Sequence, residues 1–250
     1  MYTEPKESEK KYRRLEKLGK ELGVPVPQCF IETEVTMPNG KVFCNKTRSH
    51  SWKRNAYNWI FSLVANKDLR DVTFGAGLLS LKQPSGTIAH AAYLPVPATY
   101  WNSYGAFISG DSPGSVGGLN AGYMAGATDD SYGILVGTDD TAETFEDTTL
   151  VAKVAHGNSS GHLAIQATNA HVTSYDSGSK TMSDTLSRFF NNNSGGDITI
   201  KEVAIYSLLL AGYNDERANL LSRDVLVTPV LVPNTGQLKV SYTNSLVYPA

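Results

Sequence analysis

Tyr12, Leu15, Leu18 and Leu22 recur at spacings of three and four in an otherwise charged segment. That spacing places them on one narrow stripe of a helix over residues 4–22, which Gly23 and Pro25 end. A helix this polar is marginal alone in water. Its stripe either packs on the body of the same chain or docks on another subunit. A second helix is predicted over residues 50–66, where Trp52, Ala56, Trp59, Ile60, Leu63 and Val64 follow helical periodicity. Two tryptophans on one face predict a core helix packed on a sheet, with Ser49 or Ser51 as its N-cap.

Elsewhere the period is two. Ile31, Thr33 and Val35 alternate with Glu32, Glu34 and Thr36, and Pro38-Asn39-Gly40 supplies a turn, so residues 29–44 read as a hairpin. From Gly133 onward short apolar runs are separated by polar Gly/Asn turns. They cover 134–136, 150–155, 162–167, 186–190, 198–206, 220–232 and 238–243. The phase breaks within 198–206, which predicts a bulge. The fold class that follows is mainly β: an antiparallel, jelly-roll-like β-sandwich with an N-terminal helix and one further amphipathic helix. The predicted organisation is a helical arm over 1–24 and a sandwich body over 25–250, with a Gly- and aromatic-rich insertion at about 75–130.

Composition sharpens this in one respect. The formal net charge is -2, but residues 1–82 carry 15 basic and 9 acidic side chains, residues 83–152 no basic and eight acidic, and residues 153–250 seven of each. A basic front and an acidic middle suggest that the front of one copy meets the middle of a neighbour. The charged start is unlike a signal peptide, and no apolar run reaches the roughly 20 residues of a membrane span. Neither a membrane nor a specific nucleic acid is an expected partner. Cys29 and Cys44 are expected to be free, buried thiols.

Catalytic templates are absent from the sequence: no G-x-S-x-G, no H-E-x-x-H, no phosphate loop and no zinc-type cysteine pair. No enzymatic activity and no cofactor are expected. The acidic middle, with seven carboxylates between Asp129 and Asp147, offers the oxygens calcium prefers. Asp129, Asp130, Asp139 and Asp140 are the candidate ligands, although no EF-hand or nonapeptide repeat organises them. His156 and His162 flank one turn and are read as solvated or hydrogen-bonded. Candidate interaction residues are Tyr12, Leu15, Leu18 and Leu22 on the helix and Tyr93, Tyr100, Trp101 and Tyr104 in the insertion. Those insertion aromatics, with Tyr123, suit either core packing or stacking on sugar rings.

Six runs occur in order: Gly133–Gly137 (GILVG), Leu150–Gly157, Arg188–Gly196 (RFFNNNSGG), Ile198–Tyr206 (ITIKEVAIY), Ser222–Leu226 (SRDVL) and Gly236–Thr243 (GQLKVSYT). Together with Ser49-His50-Ser51-Trp52, Arg54-Asn55 and Tyr57-Asn58, this succession resembles structural proteins of tailed-bacteriophage particles. The resemblance implies a β-rich virion component, such as a capsid decoration, neck or tail protein, with no catalytic residues to carry over. Its implied partners are copies of itself and other virion proteins. A face that binds host glycans is the alternative reading. Within the shared pattern, Arg223 and Asp224 read as a strand-end ion pair, worth little if exposed.

Overall fold

Alternation of buried and half-exposed positions along β1, the end of β10 and the start of β13 builds the centre of the larger sheet. The computed structural model describes residues 6–65, 81–86, 88–89, 112–116, 119–210 and 216–248. After helix α1 (Lys6–Leu22) come β1 (Pro27–Thr36) and β2 (Val42–Arg48), then helix α2 (Arg54–Ala65). Two short antiparallel ribbons follow, β3 (Leu81–Lys82) with β4 (Ile88–Ala89) and β5 (Ser112–Val116) with β6 (Leu119–Ala121). The remaining strands are β7 (Gly133–Gly137), β8 (Ala164–Thr168), β9 (Val172–Asp176), β10 (Thr181–Asn191), β11 (Ile198–Leu210), β12 (Glu216–Val232) and β13 (Gln237–Val247). The larger sheet runs β2-β1-β13-β10-β8, with β9 also beside β10; the smaller runs β12-β11-β7. Among the described residues, every strand pair in these two sheets is antiparallel.

The two sheets pack face to face as a sandwich. Ile31 and Val35 of β1, Leu238, Val240 and Tyr242 of β13, and Leu186 and Phe190 of β10 form one wall. Ile134, Val136, Ile198, Ile200, Val203, Ile205 and Leu221 form the other. The register slip between Ile200 and Glu202 is the bulge that the broken phase predicted. It keeps Val203 and Ile205 facing inward while Glu202, Ala204 and Tyr206 turn to the opposite face. That second face of the smaller sheet is also covered. Ala204, Tyr206, Leu208 and Leu220 pack there with Leu135, Tyr132, Ala125 and Leu150. The apolar run 150–155, expected as a strand, forms part of this cover. It meets the sheet through an isolated bridge between Lys153 and Gly137, beside which the Val154 N–H donates to Val136 O of β7.

Local chemistry accounts for the ends of elements. Gly23 takes a φ of 65° and its N–H donates to Lys20 O, closing α1. Gly40 takes a φ of 80° in the β1–β2 turn, where the Lys41 N–H donates to Asn39 Oδ1. In the turn after β10, Gly195 supplies the positive φ, while buried Asn192 donates to the carbonyls of Gly196 and Val232. The two cysteines are free, but only Cys29 is buried. Cys44 is exposed and lies opposite Glu34, well along the ladder from Cys29. Among the described residues, no helix is long and apolar enough to cross a membrane.

Candidate functional site

The carboxylate-rich end of the acidic middle is a strap. Residues 138–152 cross the second face of the smaller sheet, and buried cations hold them there. Arg223 on β12 and Glu202 on β11 project towards the strap with both side chains fully buried. Arg223 donates from Nε to Glu202 at 2.7 Å, from Nη1 to Asp147 at 2.9 Å and from Nη2 to Thr141 O at 2.9 Å. Glu202 in turn accepts the N–H groups of Val151 and Ala152. Lys53, 2% exposed, lies 3.4 Å from Asp147 and donates to Thr144 O. Burial pushes the Asp147 carboxyl up, but hydrogen bonds from Thr144 and Arg223 and the Lys53 charge outweigh it and hold the group below its usual range. A Cβ at Gly137 would collide with the Glu202 carboxylate, which explains glycine at that end of β7.

The face inside the sandwich carries the neighbouring charge. Asp224 follows Arg223 on the strand and so points the other way. It accepts from the hydroxyls of Ser49 at 2.8 Å and Ser222 at 2.6 Å and from the N–H groups of His50 and Ser51. Its carboxyl is raised, chiefly by burial, with the nearby Glu143 charge adding to the effect. Arg223 and Asp224 are therefore not an ion pair at a strand end. They are two buried anchors in mid-strand, facing opposite layers. Ser49 and Ser51 do not cap α2 either. Ser49 serves Asp224, and the Ser51 hydroxyl donates to Glu143, which also accepts the Val225 N–H.

A further buried charge is Arg188 on β10, with no exposed surface. Its five N–H groups donate to five backbone carbonyls: Gln166, Tyr132, Ile134, Gly126 and Asp129. Burial pulls its pKa down to about 10. The guanidinium thus fastens the 126–134 segment to the larger sheet.

These contacts separate the four calcium candidates. Asp129 and Asp130 precede β7, whereas Asp139 and Asp140 follow it, five strand residues or roughly 17 Å away. Asp129 accepts from Ser131, Asp130 pairs with Lys153 at 3.1 Å, Asp139 accepts the Thr141 N–H, and Asp140 pairs with Lys201 at 3.0 Å. The structure does not gather them into one ligand set. Part of the acidic middle is engaged inside the chain. Lys53 reaches Asp147, and Arg54 and Lys82 reach Glu146, so the basic front meets the acidic middle within one chain. His156 accepts the Ile165 N–H through Nδ1.

The helical arm docks on the outer face of the larger sheet, through its polar side. Arg48, 6% exposed, lies between the rings of Tyr12 and Phe30, with its Cζ 4.5 and 4.7 Å from their centroids. It pairs with Glu9 and Glu16, each at 3.2 Å, and donates to Gln28 at 2.7 Å. Gly19 brings the helix against Val26, where any side chain would clash. Of the four stripe residues, Tyr12 faces the body. Leu15, Leu18 and Leu22 remain 49%, 42% and 73% exposed. Replacing Arg48 with alanine removes about 2 kcal/mol of charge-assisted bonding. Amide exchange over residues 8–22 should then quicken about 30-fold while β13 stays protected. Unchanged exchange would mean that another contact holds α1.

Helix α2 has a similar outward face. Asn55 and Ala56 are buried and Trp59 is half-buried, but Tyr57, Ile60, Phe61 and Val64 are exposed. Between the helices lies a cleft of 600 Å³ lined by residues including Tyr12, Arg48, His50, Trp52, Tyr57 and Ile60. The insertion candidates Tyr93, Tyr100, Trp101 and Tyr104 lie outside the described residues. Tyr123 packs against the sandwich core, near the His171 ring. Lys53, Arg188, Glu202, Arg223 and Asp224 form the polar framework that periodicity alone did not assign. For Glu202, Arg223 and Asp224 the signal in the sequence is a charge in the middle of an apolar strand run, in Ile198–Tyr206 and Leu220–Leu226. Neither family models, nor curated proteins, nor solved structures give a match to the chain.

Proposed function

We propose that the chain is a non-enzymatic structural subunit of a tailed-bacteriophage particle, a capsid decoration, neck or tail component that acts by multi-copy assembly. The observation that carries this reading is how the two helices are turned. Leu15, Leu18 and Leu22 on α1 and Tyr57, Ile60, Phe61 and Val64 on α2 face outward. Meanwhile the buried charges Lys53, Arg188, Glu202, Arg223 and Asp224 all hold the strap and sheets together. A body with apolar contact stripes and internally hydrogen-bonded buried charges suits a subunit that buries surface against neighbours. The ordered likeness of its C-terminal strand runs to virion proteins supplies the particle. Mass spectrometry of gradient-purified particles tests the reading: it expects peptides of this chain at multi-copy stoichiometry, and their absence from complete particles would contradict it.

The glycan-binding alternative has one observation of its own. Tyr12, Trp52 and Tyr57 line the cleft between the helices, with His50 and Asn244 as polar partners. Aromatic walls with a few hydrogen-bonding groups are the usual chemistry of sugar recognition. A glycan array probed with the folded protein distinguishes the two readings, since the structural reading expects no binding.

A further inference from the structure

We infer that α1 is a homotypic contact, pairing antiparallel with α1 of a second copy across a two-fold axis at Leu18. The inference rests on the multi-copy reading above and names the surface and the partner. Three observations lead to it. The docked side of the helix is Glu9, Tyr12, Glu16 and Gly19, so the leucine stripe lies beside the body and not under it. The stripe has the three-four spacing of a helix-pairing seam. The charges that flank it are self-complementary.

The third observation selects a second copy as the occupant. At about 100° per residue, Leu15, Leu18 and Leu22 fall within about 60° of one another. Arg14 and Glu21 both lie on the flank facing away from the body, about 40° and 60° from Leu18. A two-fold axis perpendicular to two antiparallel helices returns each flank to the same flank of its mate. Centred on Leu18, it sets Leu18 against Leu18 of the second copy and Leu15 beside Leu22 of that copy. Arg14 lies about 6 Å above the centre and Glu21 about 4.5 Å below it, so Arg14 of each copy meets Glu21 of the other. Two ion pairs form for one hydrophobic seam. Within its own chain Glu21 has a loose 3.8 Å contact with Lys17, both largely exposed. Glu9 and Glu16 are engaged by Arg48. The same operation puts Lys11 near the carbonyl end of the mate's helix, where a cation is favoured.

One helix pair of this length buries less than the roughly 1,200 Å² of a stable dimer. The contact is therefore reversible in solution, and it gains strength when other contacts hold many copies together. It is also weakened by salt, because its ion pairs are exposed.

Sedimentation equilibrium of the full chain up to about 1 mM in low salt measures it directly. The expected result is a monomer–dimer equilibrium that Leu18→Glu abolishes. Arg14→Glu or Glu21→Arg alone should weaken it about tenfold, since two symmetric pairs become repulsive. The double exchange Arg14→Glu/Glu21→Arg should restore it. Circular dichroism and melting of each variant confirm that the fold is intact. A wild-type monomer at the highest concentration overturns the inference, as does a dimer indifferent to Leu18→Glu or a double exchange no better than the singles. Those outcomes leave the particle reading standing if the chain is still found in purified particles; its absence there removes the particle reading and leaves the pairing measurement intact.

Discussion

Replacing Arg223 with methionine should lower the melting temperature by roughly 6–20 °C. The side chain and its partner Glu202 are both fully buried, and Arg223 also ties Asp147 and Thr141 O. Deleting one partner of a buried ion pair leaves a charge without compensation, which costs about 3–5 kcal/mol. For a chain of this size each kcal/mol moves the transition by about 2–4 °C. The loss should be local at first, because the strap loses its central fastening while the sandwich core is untouched. Proteolysis within residues 138–149 is the accompanying readout. Adding Glu202→Gln to Arg223→Met should recover roughly half the loss. The substitution removes the stranded charge and keeps an amide oxygen for the Ala152 N–H, which Glu202 now accepts at 2.9 Å. A single variant that melts within about 2 °C of wild type would show that Glu202 is not a buried anion.

Arg188 should be at least as sensitive, for a different reason. It has no carboxylate within its hydrogen-bond set; its partners are five main-chain carbonyls, four in the 126–134 segment and one in β8. Methionine at this position leaves buried acceptors unpaired, and each such group costs on the order of 1–3 kcal/mol when water cannot reach it. Not all five stay dry after relaxation, so the expected loss is about 3–5 kcal/mol. Lysine should rescue less than half of it. Its three donors radiate from one atom and cannot span the fork that guanidinium presents. The segment 126–134 should lose exchange protection before β1 and β13 do. Full stability of Arg188→Lys would indicate that charge alone, rather than planar geometry, organises the site.

Particular residues show how much of this was legible beforehand. The β1–β2 hairpin, β7, β11 with its bulge, and α1 follow from local alternation, turn residues and caps, because one physical rule dominates in each. For helix α2 the periodicity gives the right segment but the wrong rotation. Trp52 bridges to Ser222 before the helix begins at Arg54, so counting the stripe from Trp52 assigns Ile60 and Val64 to the core when they are exposed. Residues 150–155 resemble a strand because Leu150 and Val154 are apolar. Leu150 and Val154 are buried, but the Val151 and Ala152 amides satisfy the Glu202 side chain and Val154 alone of the three donates to β7. Strand β9 gives no amphipathic signal, since every position in it is exposed. The charge split along the chain was visible, but its use was not. Pairing Lys53 with Asp147 or Lys82 with Glu146 requires the tertiary fold, which brings the front of the chain across the middle.

The central claim is that side chains and amides of the same chain engage the strap carboxylates: Arg223 and Lys53 hold Asp147, Arg54 and Lys82 hold Glu146, and Lys201 holds Asp140. Amide hydrogen exchange at Val151, Ala152 and Val225 tests it most directly, because their N–H groups donate to Glu202 and Glu143. The account predicts slow exchange in dilute, chelator-treated protein, unchanged by added calcium or by raising the concentration into the associating range. Protection that appears only on adding calcium, or only on association, would contradict it.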